Sequence, residues 1–178
     1  MLMWEGKYAY CLFCRCGAEK ALAQLIELTQ PEITAKAAFR DKHRRCKGVS
    51  TTERSPFMQG YVFLYADSPI ERDTLRKFMN AYRLLDYYEG DTAELHGGDL
   101  EFAKWIYEND GIIGISTVRT EKGATKVLSG PMLRLADSVV RFDKHTRNAL
   151  VRISFLDRTA ELWLPFAFEG EQSAGSDA

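Results

Sequence analysis

Apolar positions near the start of the chain follow two different spacings in succession. Residues 8–14 are almost all apolar or aromatic, and Gly6 and Gly17 bound the run, which is typical of a buried strand. Residues 18–29 then repeat apolar side chains at the spacing of one helical face, and Pro31 lies just past them. The pattern therefore predicts a strand followed by an amphipathic helix. The predicted inner face of that helix consists of Ala18, Ala21, Leu22, Leu25, Ile26 and Thr29.

A second apolar strand is predicted over residues 57–65, after a turn-rich stretch that indicates a hairpin. The aromatic rings at positions 57, 61, 63 and 65 fall on one face of this strand, because successive side chains alternate between faces. Met58, Val62 and Leu64 fall on the other face. Since both faces are apolar, we expect this strand to lie in the centre of a sheet.

Two further helices with a short strand between them complete the first part of the chain. A capping box of Ser68, Pro69 and Glu71 predicts a helix over 68–82, and residues 83–90 are expected to form a strand. Asp99 is the predicted N-cap of a third helix, which would bury Phe102, Trp105 and Ile106. The order β, α, β, β, α, β, α predicts an α/β sandwich over residues 1–109.

The second part of the chain has the short period-2 pattern of strands and no helical periodicity. From residue 123 onward, β runs are predicted at 125–128, 138–143, 149–156 and 159–166, separated by turn residues. Strands this short and closely spaced predict a small closed β-barrel. The expected fold is therefore α+β. Its predicted divisions are 1–109 for the α/β sandwich, 110–122 for a linker, 123–169 for the barrel and 170–178 for a disordered tail.

Charge is balanced over the 178 residues, with 24 Lys and Arg against 25 Asp and Glu, but it is not evenly distributed. Residues 35–54 hold seven basic side chains against two acids, a local charge of +5. Such a cluster suits phosphate groups, although a solvated hairpin is the alternative explanation. A second, smaller basic group lies in the predicted barrel, where a polar hairpin explains it equally well. The candidate nucleic-acid-binding residues are Lys42, His43, Arg44, Arg45, Lys47, Lys144, His145 and Arg147.

Several functional classes are disfavoured by what the sequence lacks. It has no apolar run long enough to span a membrane and no secretion signal at its start, so we expect a cytoplasmic protein. Cys14 and Cys16 share a predicted strand face while Cys11 takes the other, so packing explains them better than zinc does, even with Cys46 or His43 as a further ligand. No nucleophile motif, phosphate loop or metal motif accompanies the three histidines. We expect neither enzymatic activity nor a cofactor.

Three stretches together carry a family resemblance. "YCLFCRCGAEKALAQLIE", "PFMQGYVFL" and "VLSGPMLRLADSVVRFDKHTRNALVRISF" occur in this order and resemble the NusG family of transcription elongation factors over nearly the whole chain. The resemblance implies an NGN domain, with an antiparallel sheet flanked by helices, and a C-terminal SH3-like KOW barrel. Ala9 replaces the family's first Trp, and Met58-Gln59 replaces Phe-Pro. These departures indicate a specialised paralogue, resembling LoaP, RfaH or capsule-operon antiterminators.

The resemblance also implies a partner and a contact surface. Relatives bind the clamp helices of RNA polymerase through their first domain and suppress pausing or termination. The resemblance implies that Tyr10, Met58 and Tyr61 make this contact, with Phe57 beside them. Packing in the sheet core is the other explanation for these side chains, because aromatic residues in strands are usually packed.

Further partners are implied in the same way. Relatives contact nascent RNA or non-template DNA, and their barrels recruit a ribosomal protein or the termination factor Rho. We therefore expect a monomeric antitermination factor that acts by binding and does not associate with membranes. The alternative is a free-standing KOW-type RNA-binding protein that does not act on RNA polymerase, which salt-dependent RNA affinity without polymerase affinity would indicate.

Overall fold

The computed structural model describes residues 4, 6, 8–46, 49–71, 73–74, 83–84 and 93–171, with the backbone alone for residues 43–46, 49–50 and 83–84. These residues form a mixed α+β fold in two compact units. The first unit contains the described residues up to Ala38 and those from Phe57 to Gly111, and the second contains Phe39–Pro56 and those from Ile112 onward. No described helix combines the length and the apolar character that crossing a bilayer requires.

The described elements are mostly short strands. The helices are α1 (Glu19–Thr29), α2 (Gly97–Glu108) and a 3-10 helix (Pro131–Ser138). The strands are β1 (Tyr8–Phe13), β2 (Thr34–Ala37), β3 (Phe39–Cys46), β4 (Val49–Pro56), β5 (Tyr61–Ala66), β6 (Arg83–Leu84), β7 (Ile112–Ile113), β8 (Ser116–Glu121), β9 (Ala124–Ser129), β10 (Val139–Asp143), β11 (Asn148–Phe155) and β12 (Arg158–Phe168).

The first unit is built on a sheet with the strand order β2-β5-β1-β6. Strands β1 and β5 pair antiparallel, with Tyr8 opposite Ala66 at one end and Phe13 opposite Tyr61 at the other. The prediction of a central strand is confirmed for β5, which is buried along most of its length. It is wrong for residues 57–60, which form a turn before the strand begins.

Helix α1 has the predicted position but a different inner face. Its buried residues are Glu19, Leu22, Ala23 and Ile26, whereas the predicted positions Ala21, Leu25 and Thr29 are exposed. The helix is rotated because the carboxylate of Glu19 turns inward to bond backbone N–H groups, as described below. A charged side chain on the inner face was not part of the predicted pattern.

Helix α2 starts earlier than predicted. The prediction of Asp99 as N-cap is wrong, because the helix begins at Gly97 and Asp99 lies in its first turn. The N–H of Leu95 donates to the Ala9 carbonyl at 2.8 Å, which holds the chain against β1 immediately before the helix. The predicted inner face of this helix is confirmed, since Phe102, Trp105 and Ile106 are all buried.

Some predicted elements fall largely outside the described residues. Of the predicted helix over 68–82, Asp73 and Thr74 are helical in the described part, whereas residues 68–71 are not helical, so the predicted start at Ser68 is wrong. Of the predicted strand over 83–90, Arg83 and Leu84 pair with β1. Residues 172–178, which include most of the predicted tail, also lie outside the description.

The second unit contains a five-stranded sheet in the order β10-β11-β12-β8-β9. All four predicted β runs form strands. The prediction of a linker over 110–122 is wrong, because β8 lies within it and pairs in parallel with β12. Ser116 and Val118 anchor β8 by pointing inward, and both are buried. In the described residues the two edge strands, β10 and β9, do not pair with each other. The sheet is therefore a half-barrel and not the predicted closed barrel.

The basic hairpin forms as predicted, from antiparallel strands β3 and β4. It belongs to the second compact unit, whereas the sequence placed it in the predicted domain 1–109. Two contacts account for this difference. Strand β3 pairs in parallel with β7, and the guanidinium of Arg40 donates a hydrogen bond to the carbonyl of Trp163 on β12.

The described cysteines differ sharply in exposure, which predicts selective thiol chemistry. Cys11 and Cys14 are buried and Cys16 is exposed. Burial raises the pKa of Cys11 well above its usual range, and burial together with the Glu19 carboxylate raises the pKa of Cys14 to about 11. Because the thiolate is the reactive form, Cys16 is expected to react fastest at neutral pH.

The check is mass spectrometry after timed alkylation of a Cys46→Ser variant, which removes the fourth thiol. One fast modification at Cys16 is expected, with Cys11 and Cys14 modified only after denaturation. Stability should also depend on pH, because the thiols of Cys11 and Cys14 have higher pKa values in the folded protein than in the unfolded chain. As pH rises from about 9 towards 11, these thiols ionise in the unfolded chain first, so the free energy of unfolding should fall. Fast labelling of Cys14 in the folded protein at neutral pH would contradict the burial.

Candidate partner-binding surfaces

One end of the β1–β5 pair carries partly exposed apolar side chains. Phe13 at the end of β1 is 43% exposed. Its ring lies edge to face with Tyr61 at the start of β5, with 5.6 Å between centroids and an angle of 74°. Tyr61 and the nearby Met58 are each partly exposed. We call Phe13, Met58 and Tyr61 the ring patch.

The turn over residues 57–60 positions the ring patch. Met58 has a φ of 54° and Gly60 a φ of 84°, so the chain reverses through left-handed conformations. The turn is closed by a hydrogen bond from the Tyr61 N–H to the Met58 carbonyl at 3.1 Å. The Cys14 N–H donates to the Gly60 carbonyl at 2.7 Å, which joins the turn to the end of β1.

Gly60 is required at this turn for two reasons. Its positive φ is a conformation that other residues adopt only with strain. A Cβ at this position would also lie 2.9 Å from the Phe13 ring and 3.1 Å from the Cys14 carbonyl. Because glycine has no Cβ, the backbone at position 60 can lie close to the Phe13 ring without a clash.

A buried carboxylate ties the turn to the start of α1. Glu19 is 6% exposed. One of its oxygens accepts the Gly60 N–H at 2.7 Å, and the other accepts the Gly17 N–H at 2.8 Å. Sequence reasoning missed this role, although Glu19 lies in the first of the stretches that carry the family resemblance. Its spacing of three residues before Leu22 and seven before Ile26 puts an acidic residue on the face of these apolar side chains, and this was the signal that could have revealed it.

The other two predicted polymerase-contact residues belong to the core. Tyr10 is 5% exposed, and its hydroxyl accepts a hydrogen bond from the Ile70 N–H at 3.1 Å. Burial raises the pKa of Tyr10. Phe57 is 4% exposed and packs edge to face on Trp105, with 6.2 Å between centroids. Unlike Met58 and Tyr61, these two side chains present no surface to a partner in this structure.

The structure describes the first basic cluster only in part. Lys42 is partly exposed on β3. The residues His43, Arg44 and Arg45 also lie on β3, opposite residues 50–52 of β4, but their side chains are outside the description, as is Lys47. Nearer the base of the hairpin, Arg54 is paired with Asp41 at 3.1 Å.

The second basic group occupies the turn between β10 and β11. Lys144 and His145 are exposed. Asp143 accepts the backbone N–H groups of Thr146 and His145, at 3.1 and 2.9 Å. Hydrogen bonding, first of all with Thr146 and then with His145, lowers the pKa of its carboxyl. Arg147 donates to the Lys144 carbonyl at 2.9 Å. The turn therefore leaves Lys144 and His145 exposed, while Arg147 is bonded both within the turn and to the carboxylate of Glu171.

Metal ligation gains no support from the described side chains. Within those residues, no group of three or more His, Cys, Asp and Glu side chains has a spacing that could hold a metal ion. Cys14 and Cys16, predicted to share a face, differ in burial, since Cys14 is enclosed and Cys16 faces solvent.

The described residues form a mixed α+β fold in two compact units, with partly exposed apolar side chains at one end of the β1–β5 pair and exposed basic side chains in the turn between β10 and β11. No protein-family model and no curated protein matches the chain.

Proposed function

We propose that the protein is a NusG-like transcription elongation and antitermination factor that binds the clamp helices of RNA polymerase through the ring patch. The observation that carries the proposal is the partial exposure of Met58 and Tyr61 beside Phe13. Met58 and Tyr61 are positions to which the family resemblance assigns the polymerase contact. The three resembling stretches and the mixed α+β fold support the same proposal.

The ring patch has the chemistry needed to hold a helix. An aromatic pair supplies rigid apolar area, and a methionine adapts its shape to a partner surface. An amphipathic helix binds by laying its apolar face on such a surface. Because Glu19 and Gly60 fix the turn through hydrogen bonds, little ordering entropy would be lost on binding.

The proposed mechanism is a bridge and involves no catalysis. Binding to the clamp helices across the polymerase cleft would hold the clamp closed on nucleic acid and so suppress pausing or termination. Lys42 and the exposed pair Lys144 and His145 would contact phosphates of nascent RNA or non-template DNA. The half-barrel of the second unit would recruit a further protein, either a ribosomal protein or Rho.

The experiment compares three variants in a pull-down with purified RNA polymerase and in readthrough of a terminator in vitro. Tyr61→Asp and Met58→Asp should each weaken polymerase binding roughly tenfold or more, because each places a charge in the apolar contact. Leu28→Asp is the matched control. Leu28 is an apolar residue of the first unit that is 80% exposed on α1, so its replacement should leave both readouts unchanged.

Two results would count against this function. Wild-type protein that is folded yet shows no polymerase affinity would exclude it, and salt-dependent RNA binding in the same sample would favour the free-standing KOW-type RNA-binding protein. Polymerase binding that Tyr61→Asp, Met58→Asp and Leu28→Asp affect equally would exclude the ring patch as the contact.

A further inference from the structure

The first unit has a pocket at the C-terminal end of β5, whereas the ring patch lies at the N-terminal end of this strand. Tyr61 begins this strand, whereas Tyr65 and Ala66 end it and line the pocket. Its volume is about 200 Å³, below the usual range for sites that enclose drug-sized ligands. The pocket therefore suits a single small group. Its lining consists of Trp4, Gly6, Glu32, Thr34, Tyr65, Ala66, Asp67 and Tyr107.

Three aromatic rings in this lining pack against one another. The Tyr65 ring lies edge to face with both others, at 5.4 Å from Trp4 and 4.9 Å from Tyr107. Trp4 and Tyr107 are 6.2 Å apart. The Tyr65 hydroxyl donates to the Ala103 carbonyl at 2.7 Å, which fixes the central ring. The rings thus form a rigid aromatic corner.

Two carboxylates share the lining with the rings. Glu32 and Asp67 are exposed side chains. In the part of the chain that the structure describes, neither forms an ion pair. Carboxylates beside aromatic faces create a negative potential, which repels anions and attracts cations.

Lys104 provides independent evidence that a cation is stable at the Trp4 ring. Its ammonium lies 5.8 Å from the centroid of that ring. It is held there by Glu101, 3.0 Å away on the same helix, and it does not line the pocket. The indole therefore already interacts with one ammonium group of the protein.

We propose that this pocket binds an organic ammonium ion, such as a lysine side chain or the head group of choline. The cation would lie beside Trp4 and Tyr107, and Glu32 and Asp67 would balance its charge. An apolar ligand of the same size would gain nothing from the carboxylates. This inference does not rest on the proposed role in transcription.

Gly6 offers a way to alter the pocket without changing its charge. A Cβ at Gly6 would overlap the indole of Trp4. The indole must then move away, because the three atoms nearest to this Cβ all belong to the Trp4 side chain. Gly6→Ala should thus disturb the aromatic corner and leave both carboxylates in place.

The test follows the indole N–H signals of the folded full-length protein by NMR. The chain has three tryptophans, and the signal of Trp4 is identified by its loss in Trp4→Phe. The probes are choline and N-acetyl-lysine methylamide, which separate a free ligand from a lysine carried by a polypeptide. The neutral isostere 3,3-dimethylbutan-1-ol and sodium chloride are the controls. We expect the Trp4 signal to shift and saturate with at least one ammonium probe and with neither control.

Variants then test the residues of the pocket. Glu32→Gln and Gly6→Ala should each raise the Kd of the better probe by about tenfold, the effect of losing one favourable contact. Asp157→Asn, which neutralises an exposed acid of the second unit, should leave Kd unchanged. Lys104→Met should lower Kd, because it removes a positive charge near Trp4 that repels a cationic ligand.

The proposal is overturned if the Trp4 signal of folded protein does not respond to either ammonium probe. Equal shifts with choline and 3,3-dimethylbutan-1-ol would also overturn it, since the site would then recognise shape and not charge. A Kd unaffected by both Glu32→Gln and Gly6→Ala would place the binding elsewhere. None of these measurements involves polymerase, so the two proposals can fail separately.

Discussion

Replacement of Gly60 by alanine is expected to lower the free energy of unfolding by about 2–4 kcal/mol. Part of the loss is backbone strain at a φ of 84°, which costs roughly 1–2 kcal/mol for a residue with a Cβ. The rest comes from crowding, because the new Cβ would lie 2.9 Å from the Phe13 ring and 3.1 Å from the Cys14 carbonyl. The carbonyl is part of the backbone just after β1, and it cannot move aside easily because the N–H of the same residue is bonded to the Gly60 carbonyl. Urea denaturation followed by circular dichroism measures the change.

Gly98→Ala is the matched control for this substitution. Gly98 lies in the first turn of α2, where a Cβ would meet no atom within 4 Å. Alanine also has a higher helix propensity than glycine, so we expect this variant to be as stable as the wild type or more stable by up to about 1 kcal/mol. Equal stability of Gly60→Ala and Gly98→Ala would show that the turn at Gly60 is not constrained as described.

Replacement of Glu19 by alanine should cost about 2–4 kcal/mol of stability. It removes the acceptor of two backbone N–H groups, one of which belongs to the buried Gly60. The hydrogen bond from the buried Gly60 N–H to a charged acceptor contributes about 1.5–3 kcal/mol, and leaving that N–H unsatisfied adds a desolvation cost, whereas the exposed Gly17 N–H can bond to water instead. Glu19→Gln should lose less, since its amide oxygen can still accept one of the two. Urea denaturation of both variants checks the order.

The control for Glu19 is Gln24→Ala on the exposed side of the same helix, which should change stability by no more than about 0.5 kcal/mol. Under conditions where all variants are folded, Glu19→Ala should also weaken polymerase binding, because it frees the turn that holds the ring patch. A Glu19→Ala protein as stable as Gln24→Ala would contradict the role of this carboxylate.

Local periodicity was sufficient to predict several elements of the fold. The apolar run at residues 8–14 predicted β1, the helical spacing at 18–29 predicted α1, and alternation predicted β11 and its neighbours. In each case the pattern is produced by the contact of one element with the core. The inner face of α1 was mispredicted because Glu19 bonds to Gly60, which is 41 positions away in the sequence.

Strand β8 was missed for a similar reason. Its residues, Ser116–Glu121, are mostly polar, and no apolar alternation marks them as a strand. They are extended because β8 pairs with residues 166–168 of β12 and with β9. Because β12 lies far along the chain from β8, the sequence of β8 itself carries no pattern that indicates this pairing.

The candidate polymerase contact was predicted in part. Met58 and Tyr61 lie where the family resemblance indicated, at the start of the central strand. Tyr10 and Phe57 were assigned to the same contact, but their burial depends on Ile70 and Trp105, which a reading of single strands cannot reveal. Phe13 was not singled out, although its register opposite Tyr61 brings it into the patch.

The exposure of Cys16 makes it suitable for site-specific fluorescent labelling once Cys46 has been replaced. In a Cys46→Ser protein, a thiol-reactive dye should attach at Cys16 alone, because Cys11 and Cys14 are enclosed. Cys16 lies two residues after Cys14, whose N–H is bonded to the carbonyl of Gly60 in the turn that carries Met58. A dye at this position would report occupation of the ring patch as a change in emission or anisotropy, with no cysteine added to the chain.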